Sequence, residues 1–337
     1  MPKWSRCSRI ITESGGGTKP EFLAKQTKHD RKEKEGTMEK MKLGWIGTGV
    51  MGNAMCGHLI DAGHQLNVYN RTKNKADNLV SKGAEWCSSP REVARNSDIV
   101  FSIVGFPPDV ESVLLGENGV LAGARPGMVM VDMTTSSPEL ARTVSEAAAK
   151  RSVTALDAPV SGGDVGAREA TLAIMVGGER DVFERVKPLF EVMGGNVSYM
   201  GDAGAGQHTK MCNQILVAGT MIGTVESLLY AQRMGMDLDA VIDVIGQGAA
   251  RSWMINNLGR RIANGDFNPG FYIKHFVKDM GIALAEAQRI NLSLPGLALV
   301  NQFYVVAQAM GYEDLGTQGL YKVLARINNM EDIAGPG

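Results

Sequence analysis

Lys42-Leu43-Gly44-Trp45-Ile46 followed by Gly47-Thr48-Gly49-Val50-Met51-Gly52 constrains this chain more than any other stretch. The apolar run predicts a strand, the glycines a tight turn, and Asn53 to Ala62 a helix that Gly63 stops. In that setting G-x-G-x-x-G has a mechanical meaning. The first glycine makes the turn, the second lets the backbone approach a pyrophosphate, and the third lets the helix pack on the strand. The helix N-terminus adds free N–H groups and partial positive charge for phosphates. Gly47, Thr48, Gly49, Val50, Met51 and Gly52 are therefore expected to bind a dinucleotide.

The next strand, Gln65 to Tyr69, ends at Asn70-Arg71-Thr72. An NAD site usually places an acid here to accept from the ribose 2′-OH. This chain has an amide, a guanidinium and a hydroxyl instead, which suit a 2′-phosphate. The prediction is NADP in preference to NAD, with NAD possible; an ordinary polar loop is the alternative. The alternation then continues with a helix over Thr72–Lys82, a strand over Ala84–Cys87 and a helix capped by Ser89 with Pro90 at its first position. Asp98–Gly105 is near-continuously apolar, as a strand covered on both faces should be, and it brings Val104 and Gly105 to the crevice side of the sheet. Its end, Val104-Gly105-Phe106-Pro107-Pro108, reads as a stiff loop. Met128–Met133 is a fifth strand, delivering Thr134 and Thr135 to the same edge, and Ser137-Pro138 starts a helix running to Lys150.

Val153–Ala158 leads into Pro159-Val160-Ser161-Gly162-Gly163. A polar loop, a strand at Leu172–Val176, a helix at Asp181–Met193 and a strand at Asn196–Met200 follow. From His208 to Asn328 the pattern is helical, with breaks at Gly235, Gly265–Gly270 and Pro295-Gly296. The expected fold is α/β, a Rossmann-type doubly wound parallel sheet over 41–203 followed by an all-α C-terminal domain over 204–330, with a disordered extension at 1–40 and a tail at 331–337.

Charge sets limits on partners. A net charge of −1 leaves no bulk electrostatic footprint for nucleic acid or a membrane surface, and no apolar run is expected to reach the roughly 20 residues of a membrane span. Cys7, Cys56, Cys87 and Cys212 are scattered and form no C-x-x-C pair, which fits a reducing compartment. No H-E-x-x-H or paired-carboxylate cluster predicts a metal. The first forty residues are polar and lack an apolar signal core. Arg6 and Arg9 hint at a mitochondrial address, which Glu13, Glu21 and the mixed charges of 30–35 oppose. The cytoplasm is expected, with the mitochondrial matrix as alternative.

Chemistry is expected around Gly204–Gln214. Met211, Ile215, Ala218, Ile222, Val225 and Leu229 recur at helical spacing and predict one buried stripe, with Lys210, Asn213 and Gln214 on its flank and His208 on the other side. Gly204 and Gly206 read as a hinge. An ammonium beside an apolar seam either snorkels to solvent or has work to do. Lys210 could protonate the oxygen of a carbonyl being reduced, or take that proton in the reverse direction, given a pKa lowered towards neutrality. Asn213 could orient the Lys or the substrate. Ser161-Gly162-Gly163 offers a hydroxyl and two backbone N–H groups, an anion nest suited to a carboxylate or a turn chosen for its dihedrals. Lys278 reaches the cofactor or pairs with Asp279. His58, His64, His208 and His275 sit in no motif and read as surface or packing residues.

Taken together, Gly47–Gly52 with Met55, Asp157–Gly163, Gly204-Ala205-Gly206 with Lys210 and Asn213, and Lys278-Asp279 resemble the β-hydroxyacid dehydrogenases over about residues 41–327. Gly248-Ala249-Ala250-Arg251-Ser252-Trp253 is similar to the 3-hydroxyisobutyrate dehydrogenase branch, and Asn70-Arg71-Thr72 to the NADP-preferring glyoxylate and succinic semialdehyde reductases. The resemblance implies Lys210 as acid/base, with Ser161, Gly162, Gly163, Asn213, Arg251 and Trp253 at the substrate and Thr135 and Lys278 near the nicotinamide. It also implies a long interdomain helix and homodimers or homotetramers. The implied activity is hydride transfer between NADP and a small β-hydroxy acid or its semialdehyde; a glyoxylate or succinic semialdehyde reductase and an NADP sensor without turnover are the alternatives. Leu315-Gly316-Thr317-Gln318-Gly319 replaces the family's Asp–Ser pair, so pocket closure is expected to differ.

Overall fold

The computed structural model describes residues 40–331. The expected extension and tail lie, apart from Lys40 and Glu331, outside the described residues. In chain order the elements begin with β1 (Lys42–Ile46), α1 (Val50–Asp61), β2 (Gln65–Tyr69), a 3₁₀ turn (Lys73–Ala76), α2 (Asp77–Ser81), β3 (Glu85–Trp86) and α3 (Pro90–Arg95). Next come β4 (Ile99–Ser102), α4 (Pro107–Leu115), α5 (Val120–Gly123), β5 (Val129–Asp132), α6 (Pro138–Ala149), β6 (Thr154–Asp157) and β7 (Val160–Ser161). The sheet-bearing part ends with α7 (Gly163–Arg168), β8 (Leu172–Gly177), α8 (Arg180–Met193) and β9 (Gly194–Gly201). Helices α9 (Ala205–Arg233), α10 (Leu238–Ile245), a π-helical stretch (Met254–Gly259), α11 (Arg260–Ala263), α12 (Ile273–Arg289), α13 (Pro295–Ala309), a 3₁₀ turn (Thr317–Gly319) and α14 (Leu320–Ile327) complete the order.

The sheet runs β3-β2-β1-β4-β5-β6-β8-β7, with β9 beside β8. Its first six strands are parallel, as expected. Beyond them the parallel expectation fails, because β8 lies antiparallel to β6 and β7 and only β9 is parallel to it. The link from Ser161 to Leu172 is too short for a crossover, which takes about a dozen residues or more. That link also holds α7, where a polar loop was expected; Arg168 Nη1 lies 2.6 Å from Asp164 Oδ2 one turn away. Pro107 and Pro108 open α4 rather than forming a loop, and the Asp109 carboxylate accepts from Phe106 N–H at 3.2 Å.

Alternation along the strands feeds two cores. Trp45 and Phe101 face one side, stacked at 5.6 Å, and Phe190 of α8 meets Phe101 edge-on at 6.0 Å. Ile46 and Val100 face the other, with Val110 and Leu114 of α4. A third core fills the helical part, where Phe276, Tyr304 and Tyr321 surround α9.

Helix α9 is long and apolar enough to cross a membrane by length and composition alone, contrary to the expectation that no such run exists. It serves instead as the central helix of the third core. Its buried seam also differs from the predicted stripe. Ile215 and Ile222 are half-buried, whereas Gln214, Met221 and Leu228 are buried alongside Met211, Ala218 and Val225. The seam is rotated because the first turns of α9 pack on β8 and β9 while later turns meet α12, α13 and α14. The rotation takes Lys210 and Gln214 from flank to interior.

Candidate active site

The β1–α1 turn is shaped by close approaches. Gly47 has φ +94°, and a Cβ there would lie 2.0 Å from the Ile103 carbonyl oxygen. A Cβ on Gly52 would lie 2.0 Å from the Gly47 carbonyl oxygen. Gly49 is different, since a Cβ would meet nothing within 4 Å, so the space above the turn is open. Helix α1 starts at Val50 rather than Asn53 and has neither a side-chain cap nor an acid in its first turn. Its first N–H groups are thus available to an anion, and the buried Thr48 hydroxyl has no protein partner. This donor set fits a dinucleotide pyrophosphate.

Asn70, expected to donate to a 2′-phosphate, also bonds within the protein. Its Oδ1 accepts from Thr48 N–H at 3.0 Å and its Nδ2 donates to the Thr72 carbonyl at 2.8 Å, tying the two turns together. Thr72 is exposed. The Arg71 side chain is 87% exposed and lies 3.4 Å from Asp109, a weak surface pair that leaves its guanidinium accessible.

On the far side of the crevice, the Thr134–Ser136 loop is held from every direction. Thr134 N–H donates to Asp132 (3.1 Å), and Val104 N–H donates to the Thr134 hydroxyl (2.9 Å). Burial pushes the Asp132 carboxyl up to about 6. Gln207, fully buried in the first turns of α9, donates to the Thr134 carbonyl (2.7 Å) and accepts from Ser136 N–H (2.9 Å). Between them, the Thr135 carbonyl accepts from Lys278 Nζ at 2.6 Å.

The start of α9 is clamped to the sheet. The two carboxylate oxygens of Asp157 accept from Gly204 N–H (2.7 Å) and Gln207 N–H (2.8 Å), satisfying orphan donors of the helix. A Cβ on Gly206 would lie 2.4 Å from the Met175 carbonyl oxygen and 2.7 Å from that of Asp157. These glycines permit contact, so the expected hinge is a fastened joint.

Ser161 lies at the end of β7 with Gly162 and Gly163 following at φ +135° and +63°, conformations that favour glycine. The Ser161 hydroxyl donates to Asn213 Oδ1 (3.2 Å), Asn213 Nδ2 to Gln214 Oε1 (2.7 Å), and Gln214 Nε2 to Asp279 Oδ2 (2.6 Å). The other Asp279 oxygen lies 2.9 Å from Lys278 Nζ. One polar chain therefore runs from Ser161 to the loop at Thr135, and Lys278 both pairs with Asp279 and reaches the Thr135 carbonyl.

Lys210 is 6% exposed, and its ammonium makes no hydrogen bond or ion pair among the described residues. Burial pushes its pKa down to about 8; the Asp279 carboxylate opposes the shift and Lys278 adds to it. A lysine with that pKa exchanges a proton near neutrality.

Other predicted site residues stand apart. Arg251 and Trp253 are exposed, and neither side chain bonds to the polar chain. His208 is exposed beside Arg142, His58 bonds the Ala167 carbonyl, His64 accepts from Met41 N–H, and His275 packs on Phe106 and Tyr272. Among the described residues no metal-binding cluster of His, Cys, Asp or Glu occurs. Gln318 is buried and donates to the Asp266 and Asn268 carbonyls, so Leu315–Gly319 is part of the packed interior.

Two family models divide the chain. Residues 42–201 match the NAD binding domain of 6-phosphogluconate dehydrogenase, and 204–324 match the model described as NAD-binding of NADP-dependent 3-hydroxyisobutyrate dehydrogenase. Fold and site thus define a nicotinamide-dependent oxidoreductase acting on CH–OH groups. The chain is 51% identical to a probable 3-hydroxyisobutyrate dehydrogenase-like protein 1, mitochondrial, of Arabidopsis thaliana, over 87% of this chain and 88% of that one. It is 42% identical to the 2-hydroxy-3-oxopropionate reductase of Escherichia coli, over 86% and 99%. The solved Mycobacterium tuberculosis 3-hydroxyisobutyrate dehydrogenase with L-serine superposes with TM-score 0.77 at 30% identity, over 85% and 99%. The chain belongs to the β-hydroxyacid dehydrogenase family.

Proposed function

We propose that this protein is an NADP(H)-preferring dehydrogenase of small carboxylates bearing a β-hydroxyl or the corresponding semialdehyde, with Lys210 as the acid/base. The observation that carries the reading is Lys210 itself, a buried ammonium without a protein partner, its pKa drawn down to about 8. The nicotinamide, when bound, supplies or takes up the hydride. In reduction Lys210 donates a proton to the carbonyl oxygen, and in oxidation its neutral amine accepts the hydroxyl proton. Ser161, Gly162, Gly163 and Asn213 hold the substrate carboxylate, and the Thr135 loop with Lys278 bounds the nicotinamide end. The β1–α1 turn holds the pyrophosphate. The accessible Arg71 pairs with the 2′-phosphate, which no acid at the end of β2 repels.

The cofactor-binding domain spans 41–203 and the helical domain 204–330. Exposed Leu216, Tyr230, Met234 and Met236 support assembly into homodimers or homotetramers through the helical part. Free Cys56, Cys87 and Cys212 support a reducing compartment, the cytoplasm first and the mitochondrial matrix second.

The test is an absorbance assay of nicotinamide reduction and oxidation with both cofactors. 3-Hydroxyisobutyrate is expected to turn over in preference to glyoxylate and succinic semialdehyde. Higher kcat/KM on either of those aldehydes would move the assignment to the reductases, and tight NADPH binding without turnover to a sensor. Arg71→Asp is expected to raise the KM for NADPH on the order of tenfold or more while leaving that for NADH within threefold. Equal effects on both cofactors would refute the 2′-phosphate role.

A further inference from the structure

Gln207 lies three residues before Lys210 on α9, is wholly buried, and bonds on both sides of Thr135, to the Thr134 carbonyl and the Ser136 N–H. Its own backbone N–H is held by Asp157 at the end of β6. One residue therefore joins the strand end that precedes the Ser161 nest, the helix that carries Lys210 and the loop that Lys278 grips from α12. The two side-chain bonds straddle the Thr135 peptide, so the loop cannot shift relative to α9 without breaking at least one of them. A buried amide with both ends satisfied by backbone is rigid, because a released carbonyl or N–H finds no water.

We infer that Gln207 is a positioning residue that locks the crevice loop to the Lys210 helix, so that the group exchanging the proton and the surface facing the nicotinamide keep one fixed spacing. The inference rests on the acid/base assignment of Lys210. Gln207 touches neither substrate nor reacting atoms; it acts through the loop and the helix.

Gln207→Met keeps the length of the side chain and removes both bonds, leaving Lys210, Lys278 and the β1–α1 turn intact. In the cofactor-free protein, amide hydrogen exchange over Thr134–Leu140 is expected to accelerate about tenfold or more. With cofactor and hydroxy acid, kcat per cofactor-binding site is expected to fall about thirtyfold or more, with the Kd for NADPH and the KM for the acid within threefold. A normal kcat, or exchange unchanged over Thr134–Leu140, would overturn the inference. If Gln207→Met does not fold, Gln207→Leu, which also removes both bonds, carries the same measurements; failure of both to fold would assign Gln207 to stability and overturn the positioning role. Turnover in Lys210→Met would instead mark failure of the acid/base assignment, so the two failures are distinct.

Discussion

Lys210→Met is expected to lower kcat on the order of a thousandfold in both directions while the protein melts at a higher temperature. The two effects have one cause. At neutral pH Lys210 is protonated in both the folded and unfolded states, and its lowered folded pKa means that burying the charge opposes folding by roughly 3 kcal/mol. That opposition is fully present below pH 8 and fades as pH rises from about 8 towards 10.5, where the unfolded side chain alone still holds the proton. A methionine of similar length fills the site without a charge and stabilises the fold. Loss of activity combined with a gain in melting temperature separates a missing acid from a damaged structure. Near-normal turnover would sink the assignment, and a lower melting temperature would contradict the burial argument.

Gly206→Ala is expected to damage both the fold and the activity through a single added methyl. The added Cβ would face the Met175 carbonyl at 2.4 Å, the Asp157 carbonyl at 2.7 Å and the Asp157 carboxylate at 2.8 Å. Backbone supplies the two nearest atoms and the carboxylate is pinned by Gly204 and Gln207, so nothing flexible can give way. The start of α9 must move off the sheet, destabilising the fold by about 1–3 kcal/mol and lowering Tm by roughly 5 °C. Because Lys210 sits one turn further along, kcat should fall about a hundredfold as well. Thermal scanning and steady-state kinetics check both. Wild-type values would mean that the joint is loose and that the hinge reading of these glycines was correct.

How much of this was legible in the sequence depends on which force set each feature. The parallel strands were plain because burial on both faces leaves continuous apolar runs such as Ile99–Ser102. The roles of Gly47 and Gly52 were plain because only glycine tolerates those approaches. Helix α7 was hidden, since Gly163–Arg168 has no apolar period and is seated mainly against α1, where His58 Nε2 meets the Ala167 carbonyl at 2.9 Å. The antiparallel turn at β8 left only a length signal, the short link after Ser161. Within the site, Lys210, Ser161, Asn213 and Lys278 were legible as a set; Ser161, Asn213 and Lys278 join one polar chain, and Lys210 feels the charges of Asp279 and Lys278 at its end. Gln207, Gln214 and Asp157 were not legible as site residues, because apolar counting scores a buried amide or carboxylate as surface. A signal existed: Gln207 lies between Gly206 and Lys210, and Gln214 one turn beyond Lys210, where a solvent-facing side chain would leave the ammonium stranded. Asn70 has a structural role that its chemistry alone did not reveal. Its chemistry suits a phosphate, but the turn beside it uses both ends of the amide.

The pH dependence of kcat/KM for the carboxylate substrate in both directions tests the central claim most directly. A single Lys210 titrating near 8 predicts mirrored profiles. Reduction, which needs the ammonium, is level below about pH 8 and falls tenfold per pH unit above it, while oxidation, which needs the amine, rises to the same point and then levels. Profiles without an inflection between pH 7 and 9, or the same inflection persisting in the residual activity of Lys210→Met, would contradict it.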